Sequence, residues 1–213
     1  MIALVAVKKW HFVIVSIFIA VCVVAGVFFY YASNPWGFTR EVPSKEAQLR
    51  MDIISSAEKY LGYQESDESH RIVIDIYNSH LPLAQDYTMS YEDSWCAAFV
   101  SAIAIQCKLT DIIPTECGCE RQIELFRGLG CWEEKDSYIP LPGDIIYYVW
   151  DEKFSFGDCS GWSDHVGIVI GTAGPVIKVI EGNKDDQVAY RYIAINHPDI
   201  RGFGLPDYAS ISE

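Results

Sequence analysis

The hydrophobic period of this chain changes once along its length, and that change restricts the fold more than any other feature. Ala47, Met51, Ile54, Ala57 and Leu61 recur at steps of three and four, the spacing of one apolar helix face. Ser44 is placed to cap that helix and Gly62 to stop it. Ser94 is placed to cap a second helix, whose run through Ile105 is apolar nearly all round and therefore predicts a buried element. Beyond it the apolar segments shorten. Residues 145 to 150, 165 to 170, 176 to 181 and 188 to 195 are rich in branched and aromatic side chains and are separated by Gly, Pro, Asn or Asp, which predicts strands. Short connections favour antiparallel pairing. The expected fold class is α+β, with N-terminal helices packed on an antiparallel meander β-sheet.

Ahead of this domain, residues 12 to 31 carry no charge and are almost wholly apolar, about the length that crosses a bilayer as a helix. The expected organisation is a short cytoplasmic N-terminus (1–11), one transmembrane helix acting as a signal anchor (12–31), a juxtamembrane linker (32–43) broken by Asn34, Pro35 and Gly37, and a folded domain (44–213). A cleaved leader is disfavoured, because a cut after Ala32 would put bulky Tyr30 where small residues are preferred. Lys8 and Lys9 on one side are matched by Arg40, Lys45 and Arg50 on the other, so charge bias alone does not settle orientation. The chain has 16 Lys and Arg against 29 Asp and Glu, a formal charge of -13, and without Lys8 and Lys9 the remainder is more negative still. Such a surface repels phosphate backbones, which disfavours nucleic acid as a partner.

Of the 7 cysteines, Cys22 falls in the apolar run. If Cys96 is a free nucleophile, then Cys107, Cys117, Cys119, Cys131 and Cys159 cannot all pair; disulfides in an exported domain and reduced thiols both remain open. Cys117-Gly118-Cys119 lacks the two-residue gap of zinc knuckles and has no nearby His, so it predicts no zinc site.

Cys96, two residues after Ser94, falls in the first turn of the buried helix, where unpaired backbone N–H groups and the helix dipole favour a thiolate. A buried structural cysteine is the plainer reading until a base is found. His165 opens a predicted strand, where a rigid sheet would hold it at the rim. If residues 171 to 175 form a hairpin loop, His165 lies beside Glu181, Gly182 or Asn183. Either Glu181 or Asn183 could then accept from the imidazole N–H.

Four motifs arrive in order: Trp95-Cys96-Ala97-Ala98-Phe99-Val100-Ser101, Pro142-Gly143-Asp144-Ile145-Ile146, Asp164-His165-Val166-Gly167-Ile168-Val169 and Ile180-Glu181-Gly182-Asn183. In these the chain resembles a CHAP domain, a cysteine- and histidine-dependent amidohydrolase or peptidase related to the NlpC-type peptidoglycan hydrolases, from about Ala47 to Pro206. The resemblance implies a papain-like fold, Cys96 as nucleophile, His165 as base, Glu181 as the orienting group and Asn183 as an accessory polar group. It implies as substrate an amide of a peptidoglycan stem peptide or cross-bridge. With the anchor, it implies an extracytoplasmic catalytic domain held by its N-terminal helix to the membrane of a Gram-positive bacterium. Some relatives carry a calcium loop of close aspartates. Asp67, Glu68 and Asp75 do not reproduce it, so neither metal nor cofactor is expected. Phe154, Phe156, Cys159 and Trp162, between the second and third motifs, could line a cleft or simply pack the loop. A catalytically silent wall-binding protein and a peptidase acting on protein are the alternative readings, the first weakened by Cys96, His165 and Glu181 all being present.

Overall fold

In the computed structural model, which describes residues 36–135, 137–150 and 161–211, helices precede an antiparallel sheet. The helices are α1 (Ser44–Glu58), α2 (Arg71–Asn78), α3 (Cys96–Cys107) and α4 (Cys119–Gly128). The strands are β1 (Trp132–Glu133), β2 (Ile145–Tyr148), β3 (His165–Ala173), β4 (Val176–Lys184), β5 (Gln187–Ala194) and β6 (Ile200–Gly204).

The inward face of α1 differs from the one that apolar spacing predicts. Ile53, Ile54 and Ala57 are buried together with Arg50, whereas Met51 and Leu61 are exposed. The reason is an ion pair: the Arg50 Nη1 donates to Asp144 Oδ1 at 2.8 Å and to the Pro142 carbonyl at 3.0 Å, which turns a charged position inward. Asp144 Oδ2 in turn accepts from Tyr138 Oη and Leu141 N, both at 2.9 Å, so one carboxylate ties α1 to the turn that starts β2. Gly62 has φ 86, yet α1 has already ended at Glu58; Gly62 instead uses its N–H to bond the Val188 carbonyl of β5 at 2.9 Å.

α3 is buried without a break from Cys96 to Ala104, as a helix apolar nearly all round must be, and Ser101 within that run donates its hydroxyl to the Glu116 carbonyl at 2.7 Å. It sits between the other helices and the sheet. It packs closely on β4 at Gly182, where an added Cβ would lie 2.4 Å from Phe99 Cβ and 2.9 Å from the Trp95 ring. A side chain there would push the first turn of α3 off the sheet. Ser94 does not cap this helix; Trp95 occupies the N-cap position with no side-chain bond to the first turn. α1 likewise begins at Ser44, after Pro43.

The strand order is β1-β6-β2-β3-β4-β5. This corrects the expected meander, which holds only for β2 to β5. β6 returns along the outer side of β2, pairing Ile146 with Phe203, and separates it from β1. Because β2 therefore has neighbours on both edges and apolar cover on both faces, Ile145, Ile146, Tyr147 and Tyr148 are all buried. The helix-side core includes Ile145, Tyr147, Val166 and Ile168, and a smaller core on the opposite face gathers Ile146, Tyr148, Val169 and Phe203. The loop expected over 171–175 tightens to a turn at Gly174 and Pro175, because Ala173 still pairs with Val176.

The expected transmembrane helix is also corrected as a part of this fold. Among the described residues no helix is long and apolar enough to cross a membrane. α3 is the most continuously apolar, but it has 12 residues where a span needs about 20, and it buries them inside the domain. The apolar run at 12–31 and the segment at 1–11 lie outside the described residues, as do Phe154, Phe156 and Cys159. Trp36, within the expected linker, packs on the sheet. Its ring lies 5.6 Å from that of Tyr192, and its carbonyl would meet a Cβ at Gly171 at 2.6 Å.

Candidate active site

Cys96 is the first residue of α3 and is 4 % exposed. With no side chain capping the helix, the first-turn N–H groups are left to the sulfur and to whatever binds beside it. The Ala97 N–H stabilises the Cys96 thiolate directly.

His165 opens β3 opposite Tyr148 of β2, whose ring stacks with the imidazole at 5.9 Å. Two polar contacts fix the approach to this strand. Ser163 donates its hydroxyl to the Tyr148 carbonyl at 3.0 Å, and its N–H bonds Glu120 Oε2 of α4 at 3.0 Å. Trp150 stacks on Tyr148 at 4.8 Å, its centroid 6.3 Å from that of His165, so aromatic surface walls one side of the imidazole.

The polar group that meets the His165 ring is Glu181. Its Oε2 accepts from His165 Nε2 at 3.0 Å, and its side chain is fully buried. That contact occupies one ring nitrogen and leaves Nδ1 as the one available to Cys96, and the two groups are close enough for each to shift the other's pKa. Gly167 makes the reach possible: a Cβ at Gly167 would lie 2.7 Å from Glu181 Cγ, so the carboxylate crosses the strand through space that any side chain would fill. Asn183, the other candidate, sits in the bulge of β4 at φ 54 and is half-buried; the bulge separates it from the regular alternation that holds Glu181.

Two participants were not singled out from sequence. Arg191 of β5 donates its Nε to Glu181 Oε1 at 2.7 Å and Oε2 at 2.9 Å, and lies 4.6 Å from the centre of the Trp150 ring. Its signal was the tight β4–β5 turn at Asp185 and Asp186, which pairs Glu181 with Ala189 and puts Arg191 on the diagonal. The other is Cys119, the first residue of α4, whose Sγ is 3.6 Å from Cys96 Sγ. Gly118 before a helical run marked this helix start, but the Cys-Gly-Cys spacing directed attention to metal binding instead. Cys96, Cys107, Cys117, Cys119 and Cys131 are all free thiols.

The charges follow from these contacts. The S–H of Cys119 donates to Cys96, and this bond, against the cost of burial and with help from His165, lowers the Cys96 thiol to about 5. Cys119 moves the other way, well above its ordinary value, because giving up its proton would lose the bond to Cys96 and bury a second negative charge. Burial disfavours a charged imidazole, but the thiolate and Glu181 outweigh it and raise His165 to about 9. Burial opposes ionisation of Glu181 too, yet His165 and Arg191 hold it below the usual carboxylate range. A thiolate–imidazolium pair therefore exists above the pKa of Cys96 and below that of His165. Any reaction that uses the pair is expected to have kcat/KM rising as pH passes about 5, level through neutrality and falling as pH passes about 9, as a pH–rate profile would record.

No family model, curated protein or solved structure matches this chain. The structure itself supports an α+β domain whose antiparallel sheet has β6 inserted beside β2. A thiolate at a helix start, an imidazolium beside it and a buried carboxylate behind that are groups of the kinds that can serve as nucleophile, proton carrier and orienting group. Among the described residues no group of His, Cys, Asp and Glu is arranged to hold a metal ion.

Proposed function

We propose that this protein is a cysteine hydrolase of amide bonds, with the peptide of bacterial peptidoglycan as its substrate. The observation that carries the reaction class is the chain of contacts from Cys96 through His165 to Glu181 and Arg191. The substrate class rests on the order of the four motifs that resemble a CHAP domain.

In this reading the Cys96 thiolate attacks the amide carbonyl and forms a tetrahedral adduct, whose oxyanion lies near the backbone N–H of Cys96 at the start of α3. His165, already protonated, delivers its proton to the leaving amine as the C–N bond breaks, leaving a thioester. A water molecule then gives a proton to His165 and attacks the thioester, and the acid and free thiolate are released. Glu181 keeps the imidazole oriented and stabilises its positive form, and Arg191 keeps Glu181 ionised. Asn183 is the accessory polar group at the edge of the same strand. The exposed part of Trp150, beside His165 and under the Arg191 guanidinium, gives the peptide an apolar and cationic wall to lie against.

The test is digestion of purified peptidoglycan of several cross-bridge types by the full chain under reducing conditions, beside Cys96→Ala, with released peptides and new amino groups identified by mass spectrometry. New stem-peptide or cross-bridge ends made by the parent and absent with the variant are expected. Equal silence of parent and variant on every wall type would overturn the substrate, and the same pair would then be compared on protein substrates.

A further inference from the structure

Amide hydrolysis by a thiolate and an imidazole requires no second thiol, yet one is present. Cys96 and Cys119 open two different helices, α3 and α4, whose N-termini converge so that the sulfurs are 3.6 Å apart. A disulfide brings two sulfurs to about 2.05 Å, so closing this pair asks for a movement of about 1.5 Å, within the reach of side-chain rotation and a small shift of a helix end. The remaining described cysteines are occupied elsewhere. Cys107 faces the Asp52 carbonyl, Cys117 lies against Glu116, and Cys131 faces the Leu129 carbonyl. Cys96 and Cys119 are the two buried members of the described set.

We propose that Cys96 and Cys119 are an oxidation site for hydroperoxides, in which Cys96 is attacked first and Cys119 closes the disulfide. In the first step the Cys96 thiolate displaces the distal oxygen of ROOH. The S–O bond forms, the O–O bond breaks, and the alkoxide leaves as ROH with a proton from the His165 imidazolium, so that sulfur is oxidised to Cys96–SOH and the peroxide is reduced. In the second, the Cys119 sulfur attacks Cys96, the S–S bond forms, and hydroxide leaves with the Cys119 proton as water. Two thiols have then given up two electrons, and a dithiol such as dithiothreitol returns them. Cys119 thereby protects the nucleophile, because a sulfenic acid trapped as a disulfide does not proceed to the irreversible sulfinic acid. The pairing stands on the placement of the two sulfurs; only its consequence, a reversible loss of hydrolysis, rests on Cys96 being the nucleophile proposed above.

The experiment exposes the full chain, reduced beforehand, to hydrogen peroxide at neutral pH, blocks residual thiols with iodoacetamide under denaturing conditions and maps cross-linked peptides by mass spectrometry after digestion on both sides of Cys107 and Cys117. The expected product is lighter by two hydrogens and links Cys96 to Cys119. Cys119→Ser, which keeps a donor hydroxyl, is expected to lack that link and to carry two added oxygens on Cys96. Dithiothreitol is expected to restore hydrolysis in the parent to its untreated level and not in Cys119→Ser. Sulfinic acid at Cys96 of the parent beside an alkylated Cys119, or a link from Cys96 to another cysteine, would overturn the proposal. The cross-link in the parent decides it without reference to the variant's folding. A chain that forms the link but cleaves no amide would retain this proposal and overturn the hydrolase.

Discussion

Alanine at His165 is expected to reduce amide hydrolysis by about four to six orders of magnitude, the scale of loss when one member of a nucleophile–base unit is removed. Two separate effects add. The leaving amine loses its proton donor, and the Cys96 thiolate loses the cation beside it, so its pKa rises from about 5 and less of it is ionised at neutral pH. The second effect has its own readout, the pH midpoint of Cys96 alkylation by iodoacetamide, which moves upward in the variant. Glu181 keeps its two bonds from Arg191, so no uncompensated charge is buried by the change and the fold survives. A variant that hydrolyses at the parental rate, or whose Cys96 alkylates with an unshifted midpoint, would show that His165 is not the base.

The largest expected effect on stability lies away from this site, at Asp144. Its carboxylate is buried and accepts from Arg50, Tyr138 and the Leu141 N–H, while Arg50 also holds Glu46 with its Nε at 2.8 Å. Asp144→Ala takes the carboxylate from Arg50, which keeps Glu46 and the Pro142 carbonyl, and removes the acceptor of the Tyr138 hydroxyl and the Leu141 N–H, which together costs about 3 kcal/mol, the low end of the penalty for removing one partner of a buried ion pair. Urea denaturation is expected to show a lower midpoint at nearly unchanged slope. Replacing Arg50 and Asp144 together by Met and Leu recovers much of the loss, because no buried charge is then left unpaired. If the single and double variants are equally destabilised, the effect is one of shape and not of charge.

The helices and strands that read correctly from sequence are those whose burial is one-sided or complete. α3 is apolar nearly all round because it lies between helices and sheet, and β2 to β5 are short branched runs between turn residues. The misreadings have physical causes of the same kind. The face of α1 was misplaced because Arg50 points inward, and a charge pointing inward is invisible to hydrophobic periodicity until Asp144 is brought to it. β6 was missed because Gly202 and Gly204 interrupt its apolar pattern; each glycine lies under a ring, Trp132 and Phe126, whose space a side chain would take. The meander failed with it, since nothing local in Ile200–Gly204 says which edge of β2 it will join.

The sequence by itself determined that Cys96 begins a buried helix, that His165 begins a strand, and that Glu181 and Asn183 are the polar groups within reach of it across a hairpin. These follow from period, turn residues and chain order, which are local. Strand register alone left Glu181 and Asn183 open and the resemblance preferred Glu181; the tertiary structure gives the physical reason that Glu181 meets His165, because the bulge between Glu181 and Lys184 breaks the alternation and Gly167 opens the space that the carboxylate crosses. Only the tertiary structure brought Arg191 behind Glu181 and Cys119 beside Cys96. Contacts of this sort depend on the register of neighbouring strands and on where two helix ends converge, and neither is written in the spacing of residues along one element.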